Sequence, residues 1–364
     1  NVLNIGDRTK AIKTAILNAD PNEIILIAGK GHESKQIYKN KIILKSDKNI
    51  VKNLKLKVKK ISFKDQNFFY NKKIFKEIIK VKNLKNFHGF SVDTRSIKKD
   101  NLFLTIKGKK NNGFKFIDSA IKKGAAHIIS SKKNKKYKKK IITVENEIKF
   151  LNNFAKLKRS YTSAKILAIT GSAGKTSLKN LINGLLQNYG KSFCSPRSFN
   201  NHLGVPLSLS QLKTNHNFGV FEVGMSKSGE INKLSKLIRP HVAIITNVGE
   251  AHIENFYSLN GIAAAKGEII NNIEKNGLLI LNRDNKYFNY FSKRAKTKKL
   301  TVISFGMNKN SEIYPLKIKR DKIFTKISVK INKQILNIKF KNINIYNVLS
   351  SLALLKGLKL NLSK

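Results

Sequence analysis

The chain has 364 residues, 41% of them hydrophobic and 9% aromatic, with 73 Lys and Arg against 21 Asp and Glu, a formal net charge of +52. That apolar content excludes wholesale disorder, no apolar run approaches the roughly 18 residues of a membrane span, and the length suits two or three domains of roughly 100–200 residues. Only 8 of the basic residues are Arg, and Lys, Asn and Ile are inflated along the whole chain, so the charge reads as compositional bias rather than a nucleic-acid surface.

The densest basic run, residues 132–140, offers no aromatic for base stacking except Tyr137. The positive field still draws in anionic substrates such as nucleotides. The single cysteine, Cys194, forms no internal disulfide, which fits a reducing cytoplasm. The chain opens on Asn1 with no signal-like segment, and the expectation is a piece that begins inside a longer protein.

In chain order, Ile12, Ala15, Ile16 and Ala19 predict a helix, and a turn follows at Asp20, Pro21 and Asn22. A short buried strand is predicted over residues 23–28, running into the polar glycine loop Gly29-Lys30-Gly31-His32-Glu33. Residues 1–57 read as an α/β edge too small to hold a good core alone. The lysine-rich stretch 52–60 reads as a linker.

The next segment, to residue 147, predicts a helix over 72–80, a polar cluster at 91–96, strands over 101–106 and 126–130, and a helix ending at Gly124. It reads as a small α/β unit whose hydroxyls and Arg95 suit either a nucleotide or sugar, or an ordinary turn.

Residues 148–364 begin with the most informative stretch, ILAITGSAGKTS from Ile166. A buried strand feeding a small-residue loop and then a helix aims backbone N–H groups and the helix dipole at one spot that suits a polyphosphate. The set is Thr170, Gly171, Ser172, Ala173, Gly174, Lys175, Thr176 and Ser177, with Lys175 reaching phosphate oxygens and the Thr176 hydroxyl ligating Mg²⁺. The spacing departs from the common phosphate loop, since Ile169 stands five residues before Gly174, where the first glycine would be.

Beyond it, a helix is predicted over 177–189, a strand over 218–223, a helix over 230–238 and a strand over 242–246. Strands alternating with helices predict an α/β fold with a mostly parallel sheet covered on both faces, in which Thr170, Glu222 and Asn247 converge at the strands' carboxyl ends. A carboxylate ending an apolar strand, Glu222, needs a cation or partner. His252 reads as a Mg²⁺ ligand or a hydrogen-bonded loop histidine, and Lys266 as a site lysine or an exposed one.

TGSAGKTS, NNHLGVPLSL from Asn200, FEVGMSKSGEI from Phe221, TNVGEAHIENFYSLNGIAAAKGEI from Thr246 and LNRDN from Leu281 together resemble the central ATPase domain of the Mur ligases. The likeness is specifically to the member that adds D-alanyl-D-alanine to a UDP-N-acetylmuramoyl-tripeptide. VDTRSIKKDNLFLTIKG and NNGFKFIDSAIKKGAA resemble its smaller UDP-binding domain. GDRTKAIKTAI and ILIAGKGHESKQ resemble instead the end of the ligase that adds the third amino acid.

The resemblance implies a three-part chain: residues 1–57 as an incomplete α/β remnant, 58–147 as the UDP-substrate domain, and 148–364 as the ATP-binding domain. It implies a natural fusion cut at both ends, without the domain that receives the dipeptide. ATP and Mg²⁺ are the implied cofactors, the UDP-muramoyl-peptide and D-alanyl-D-alanine the substrates. A cytoplasmic monomer is the expected state, without nucleic-acid or membrane partners.

By the same resemblance Lys175 holds phosphates, Thr176 and Glu222 ligate one Mg²⁺ and His252 a second, and Lys266 acts as a carbamate. Asn282, Asp284, Asn344 and Asn347 line the nucleotide side, although Ile343 replaces the usual histidine before Asn344. Asp93, Thr94, Arg95 and Asn201 contact the UDP substrate, and Gly29 and Glu33 match the residues that grip diaminopimelate in the third-residue ligase. A folate-type polyglutamate ligase shares the ATPase architecture and is the alternative enzyme; a basic nucleic-acid-binding protein is the alternative without catalysis.

Overall fold

The structure is a computed structural model that describes residues 4–18, 25–28, 35–38, 41–44, 46–53, 63–81, 83–108, 111–251, 253–331 and 334–362. It separates into two compact units, Asn1–Gln66 and Asn67–Lys364. Among the described residues, no helix is long and apolar enough to cross a membrane.

In the first unit, α1 (Arg8–Asn18) precedes an antiparallel hairpin of β1 (Lys35–Tyr38) and β2 (Lys41–Leu44), then α2 (Asp47–Asn53). Arg8 grips Asp47 with two guanidinium nitrogens, and Ile12 and Ile50 are buried. The helix expected from Ile12, Ala15 and Ile16 is present, whereas residues 25–28, the described part of the strand expected over 23–28, are not a strand. Residues 25–28 form no regular element, and Leu26 is 86% exposed. An apolar run becomes a buried strand only with hydrogen-bonding neighbours, and no described strand in this unit pairs with it. The turn at 20–22, the loop residues Gly29 and Glu33, and linker residues 54–60 lie outside the described residues.

The second unit holds most of α3 (Phe63–Ile78) and a parallel sheet of β3 (Gly89–Ser91), β4 (Asn101–Leu104), β5 (His127–Ser130) and β6 (Ile141–Thr143), paired in that order, with α4 (Ile117–Lys122) between β4 and β5. Phe75, Phe87 and Phe90 pack edge-on with Phe150 and Phe154 of α5 (Glu147–Tyr161). Asn146 caps α5 by accepting from Lys149 N–H at 2.9 Å.

Then β7 (Lys165–Thr170), α6 (Lys175–Leu186), β8 (Ser192–Cys194), α7 (Gly204–Ser210), β9 (Phe218–Glu222), α8 (Glu230–Ile238) and β10 (Val242–Ile245) alternate along the chain. The sequence α9 (Leu259–Gly267), β11 (Leu278–Asn282), α10 (Phe288–Thr297), β12 (Thr301–Phe305) completes a six-stranded, wholly parallel sheet ordered β12-β11-β10-β7-β9-β8. Its central strands are buried on both faces, which is why β7, β9 and β10 read as unbroken apolar runs. The expected α/β class is the one observed.

One face packs on α5, α7, α8, α9 and α10; the other packs on α6 and α11 (Ile345–Gly357). An antiparallel sheet of β13 (Pro315–Arg320), β14 (Thr325–Ile331) and β15 (Gln334–Phe340) covers part of that second face through Ile327, Val329 and Ile331. The chain order reverses around β7, with β9 on one side and β10 on the other. The carboxyl end of β7 is therefore the crevice where such sheets bind ligands.

Candidate functional site

The loop after β7 is a strained turn held from the neighbouring strand. Gly171 has φ +149°, and a Cβ there would lie 1.9 Å from Thr246 Oγ1, so no other residue fits without moving the end of β10. Gly174, at φ +81°, opens α6. Thr246 Oγ1 donates to Ala173 O at 2.8 Å, and Asn247 Oδ1 accepts from the Ser172 and Ala173 amides at 3.0 and 2.9 Å. Ser172 Oγ donates to Gly249 O at 2.9 Å. The segment after β10 thus fixes the loop's shape, and Thr170, Glu222 and Asn247 meet as expected, although Thr170 Oγ1 is buried without a partner.

Lys175 is half-buried and turns back to donate to Gly171 O at 2.7 Å. Burial lowers its basicity, and the Glu222 carboxylate opposes that shift. Glu222, only 1% exposed, receives Thr176 Oγ1 on Oε2 at 2.7 Å and Asn200 Nδ2 on Oε1 at 2.8 Å. A hydroxyl and a carboxylate oxygen so placed are the hard donors that Mg²⁺ accepts together with phosphate oxygens, so these residues fit that cation. Among the described residues, no group of three His, Cys, Asp or Glu forms a closed metal cage, and His252 lies outside them.

A cavity of about 680 Å³ opens beside the loop, its wall including Gly171, Ser172, Lys175, Asn200, Asn201, His202, Glu230 and Lys266. Lys266 is 2% exposed, and no described residue hydrogen-bonds its Nζ. Burial, with the Lys175 charge adding, pushes its ammonium down to about 7. Of the alanines before it on α9, Ala263 and Ala265 are buried and Ala264 is exposed. Asn201 Oδ1 accepts from the N–H of Gly204, the first residue of α7, at 2.9 Å.

On the other side of the loop, a smaller cavity of about 300 Å³ is walled by Ala173, Gly174, Asn282, Asn344, Asn347 and Tyr346 among others. Asp284 is not in that wall: its carboxylate accepts from Met307 and Asn308 N–H at 2.6 and 3.0 Å and fixes the turn after β12. Ser177 is exposed on α6.

The polar cluster after β3 is separate. Arg95 bonds the Asp93 of its own turn, Nη2 to Oδ2 at 2.8 Å, and Lys123 Nζ donates to Thr94 O at 2.8 Å. Arg95 holds the Asp93 carboxyl below its ordinary range, and the charge of Arg197 contributes. Sequence reading did not single out Asn200 or Lys179 as partners of Glu222, because only the fold brings β9, α6 and the segment after β8 together.

These features define a parallel-sheet α/β protein with a strand–loop–helix turn that suits a polyphosphate. The Mur ligase middle-domain model matches residues 169–355, and the catalytic-domain model of the Mur ligase family matches residues 86–159. The chain belongs to the Mur ligase family. It is 36% identical over 230 residues to the UDP-N-acetylmuramoyl-tripeptide--D-alanyl-D-alanine ligase of Buchnera aphidicola subsp. Baizongia pistaciae, covering 62% of this chain and 49% of that one. MurF from Acinetobacter baumannii shares the fold at TM-score 0.72 and 22% identity, over 80% of this chain and 65% of that one. MurF from Thermotoga maritima, solved in complex with ADP, aligns at TM-score 0.66 and 26% identity, over 77% of this chain and 65% of that one. The chain spans about half the length of the curated relatives it matches.

Proposed function

We propose that the protein is an ATP-dependent ligase that adds D-alanyl-D-alanine to UDP-N-acetylmuramoyl-tripeptide in the cytoplasm, acting as a monomer. The observation that carries this reading is a charge imbalance. Two lysines, Lys175 and Lys179, lie beside one carboxylate, Glu222, at the mouth of a strand–loop–helix turn, and a third, Lys266, meets the charge of Lys175 in the cavity that both line. Such an excess of sheltered positive charge calls for a polyanion.

In this reading the γ-phosphoryl group passes to the peptide's terminal carboxylate, and the dipeptide amine displaces phosphate from the acyl phosphate. Lys175 and the amides of Gly174, Lys175 and Thr176 hold the phosphates and stabilise charge on the transferring group. Thr176 and Glu222 hold Mg²⁺, with His252 serving a second ion; when bound, the metal neutralises phosphate charge. Asn282, Asn344 and Asn347 face the nucleoside side, and Asp284 acts there through the turn it fixes. The large cavity takes the reacting carboxylate, bordered by Asn201.

Lys266 is sheltered and weakly basic enough to add CO₂ as a carbamate, which turns a cation into a carboxylate-like ligand. Asp93, Thr94 and Arg95 hold the UDP end within residues 58–147, and residues 148–364 form the ATP-binding part. Residues 1–57, with Gly29 and Glu33, are the tail of a third-residue-adding ligase fused ahead of it. The test is phosphate release by the complete protein. Release should require ATP, the UDP-tripeptide and D-alanyl-D-alanine together, and release supported equally by folates would overturn the assignment.

A further inference from the structure

Lys179 is spent in an unusual way. It lies one helical turn after Lys175 on α6, is 1% exposed, and sends Nζ to the carbonyl oxygen of Arg197. The same Nζ stands 4.0 Å from Glu222 Oε2, the oxygen that also accepts the Thr176 hydroxyl. Asn200 occupies the other carboxylate oxygen. Without nucleotide, the single negative charge of this cradle is therefore already balanced by a buried ammonium. A divalent cation at Thr176 and Glu222 meets a carboxylate whose attraction the nearby ammonium offsets in part, and the site becomes strongly attractive only when phosphates add their charge.

We propose that Lys179 is a positioning residue that makes cation binding at Glu222 conditional on the nucleotide. It denies the site to free divalent ions and leaves it open to the cation that arrives with a polyphosphate. The inference rests on the assignment of this loop to ATP and goes beyond it. A purely structural role, bracing the Arg197 segment through its carbonyl, makes no such claim on metal affinity.

Mn²⁺ binding to the nucleotide-free full chain, followed by the paramagnetic resonance of the free ion, separates the two. Lys179→Gln keeps a donor for the Arg197 carbonyl but removes the charge, and should tighten Mn²⁺ binding about tenfold or more. Lys179→Met should do the same, Lys179→Arg should bind as the wild type does, and adding Glu222→Gln to Lys179→Gln should abolish the gain. Unchanged Mn²⁺ affinity in Lys179→Gln, with native circular dichroism and intact metal-free ADP binding, would overturn the proposal. If both neutral variants fail to fold while Lys179→Arg folds and binds free Mn²⁺ no more tightly than Glu222→Gln does, the inference holds; tight Mn²⁺ binding to nucleotide-free wild type overturns it. Absence of Mn²⁺ uptake by the wild type even with a non-hydrolysable ATP analogue would strike the ATP assignment instead.

Discussion

Lys266 and Lys158 are both buried, at 2% and 1% exposure, and burial pushes both ammonium groups down to about 7, yet their surroundings differ in kind. Lys158, on α5, donates to Asn71 Oδ1 and lies 4.5 Å from the centre of the Tyr70 ring, whose phenol burial pushes up. Its positive charge is met by an amide oxygen and an aromatic face, a closed arrangement that joins α3 to α5. Lys266 faces a cavity of about 680 Å³ and the like charge of Lys175, with no described hydrogen-bond partner. A depressed lysine is thus a mark of burial in both places, and only the second has room and reason for a ligand.

The largest expected effect tests the charged side of that contrast. Lys175→Ala in the complete protein should lower ATP-dependent ligation by about 10³-fold or more, with UDP-substrate affinity nearly unchanged, because it removes charge from the transferring phosphoryl group. Calorimetric binding of the UDP-tripeptide alongside phosphate-release kinetics checks both halves. Retained turnover would remove the loop from the chemistry.

Lys266→Ala should cost about 10²-fold in turnover and be partly rescued by formate or acetate, small carboxylates that replace a carbamate in the cavity. Because the lysine's folded value is about 7, added bicarbonate should stimulate the wild type most near pH 6, where the ammonium form dominates. Loss without rescue, or no loss, would place Lys266 with Lys158 as a packed cation.

The loop after β3 occupies a third position in the comparison, since Arg95 is 88% exposed and, among the described residues, pairs only within its own turn. An exposed pair, screened by water, contributes little to stability. Arg95→Ala should therefore leave the melting temperature unchanged while raising KM for the UDP substrate about tenfold with kcat intact, the effect of removing one charge-assisted hydrogen bond to a phosphate. A lower melting temperature with unchanged KM would make Asp93 and Arg95 a structural turn.

The phosphate loop was legible in the sequence because strand, glycine turn and helix are consecutive, so residues 166–177 contain their own geometry. Glu222 was legible for a similar reason, as a charge at the end of an apolar strand. Lys179 and Asn200 were not, since their contact with Glu222 depends on α6 and the segment after β8 crossing at β9. The sheet of β13, β14 and β15 escaped notice although Ile327, Val329 and Ile331 alternate with polar residues. In a chain with lysine at so many positions, a two-residue period is hard to tell from background. Residues 25–28 of the strand read at 23–28 differ for the opposite reason: a good local pattern that no described strand pairs with.

The smallest effect on activity belongs to Lys158, and it completes the contrast. Lys158→Met should change turnover less than twofold, because Lys158 contacts Asn71 and Tyr70 and none of the residues around the loop. Its signature is in stability. The folded value near 7 lies below the roughly 10.4 of an unfolded lysine, so between those values the unfolded chain binds the extra proton and raising the pH favours the native state. From pH 7 to 9 the wild type should therefore gain on the order of 1–2 kcal/mol that Lys158→Met lacks, read as the difference between their urea unfolding free energies at each pH. If that difference is the same at both pH values, Lys158 keeps its proton in the native state. The Asn71 oxygen and Tyr70 ring then support a full buried charge, and the likeness between Lys158 and Lys266 ends at burial.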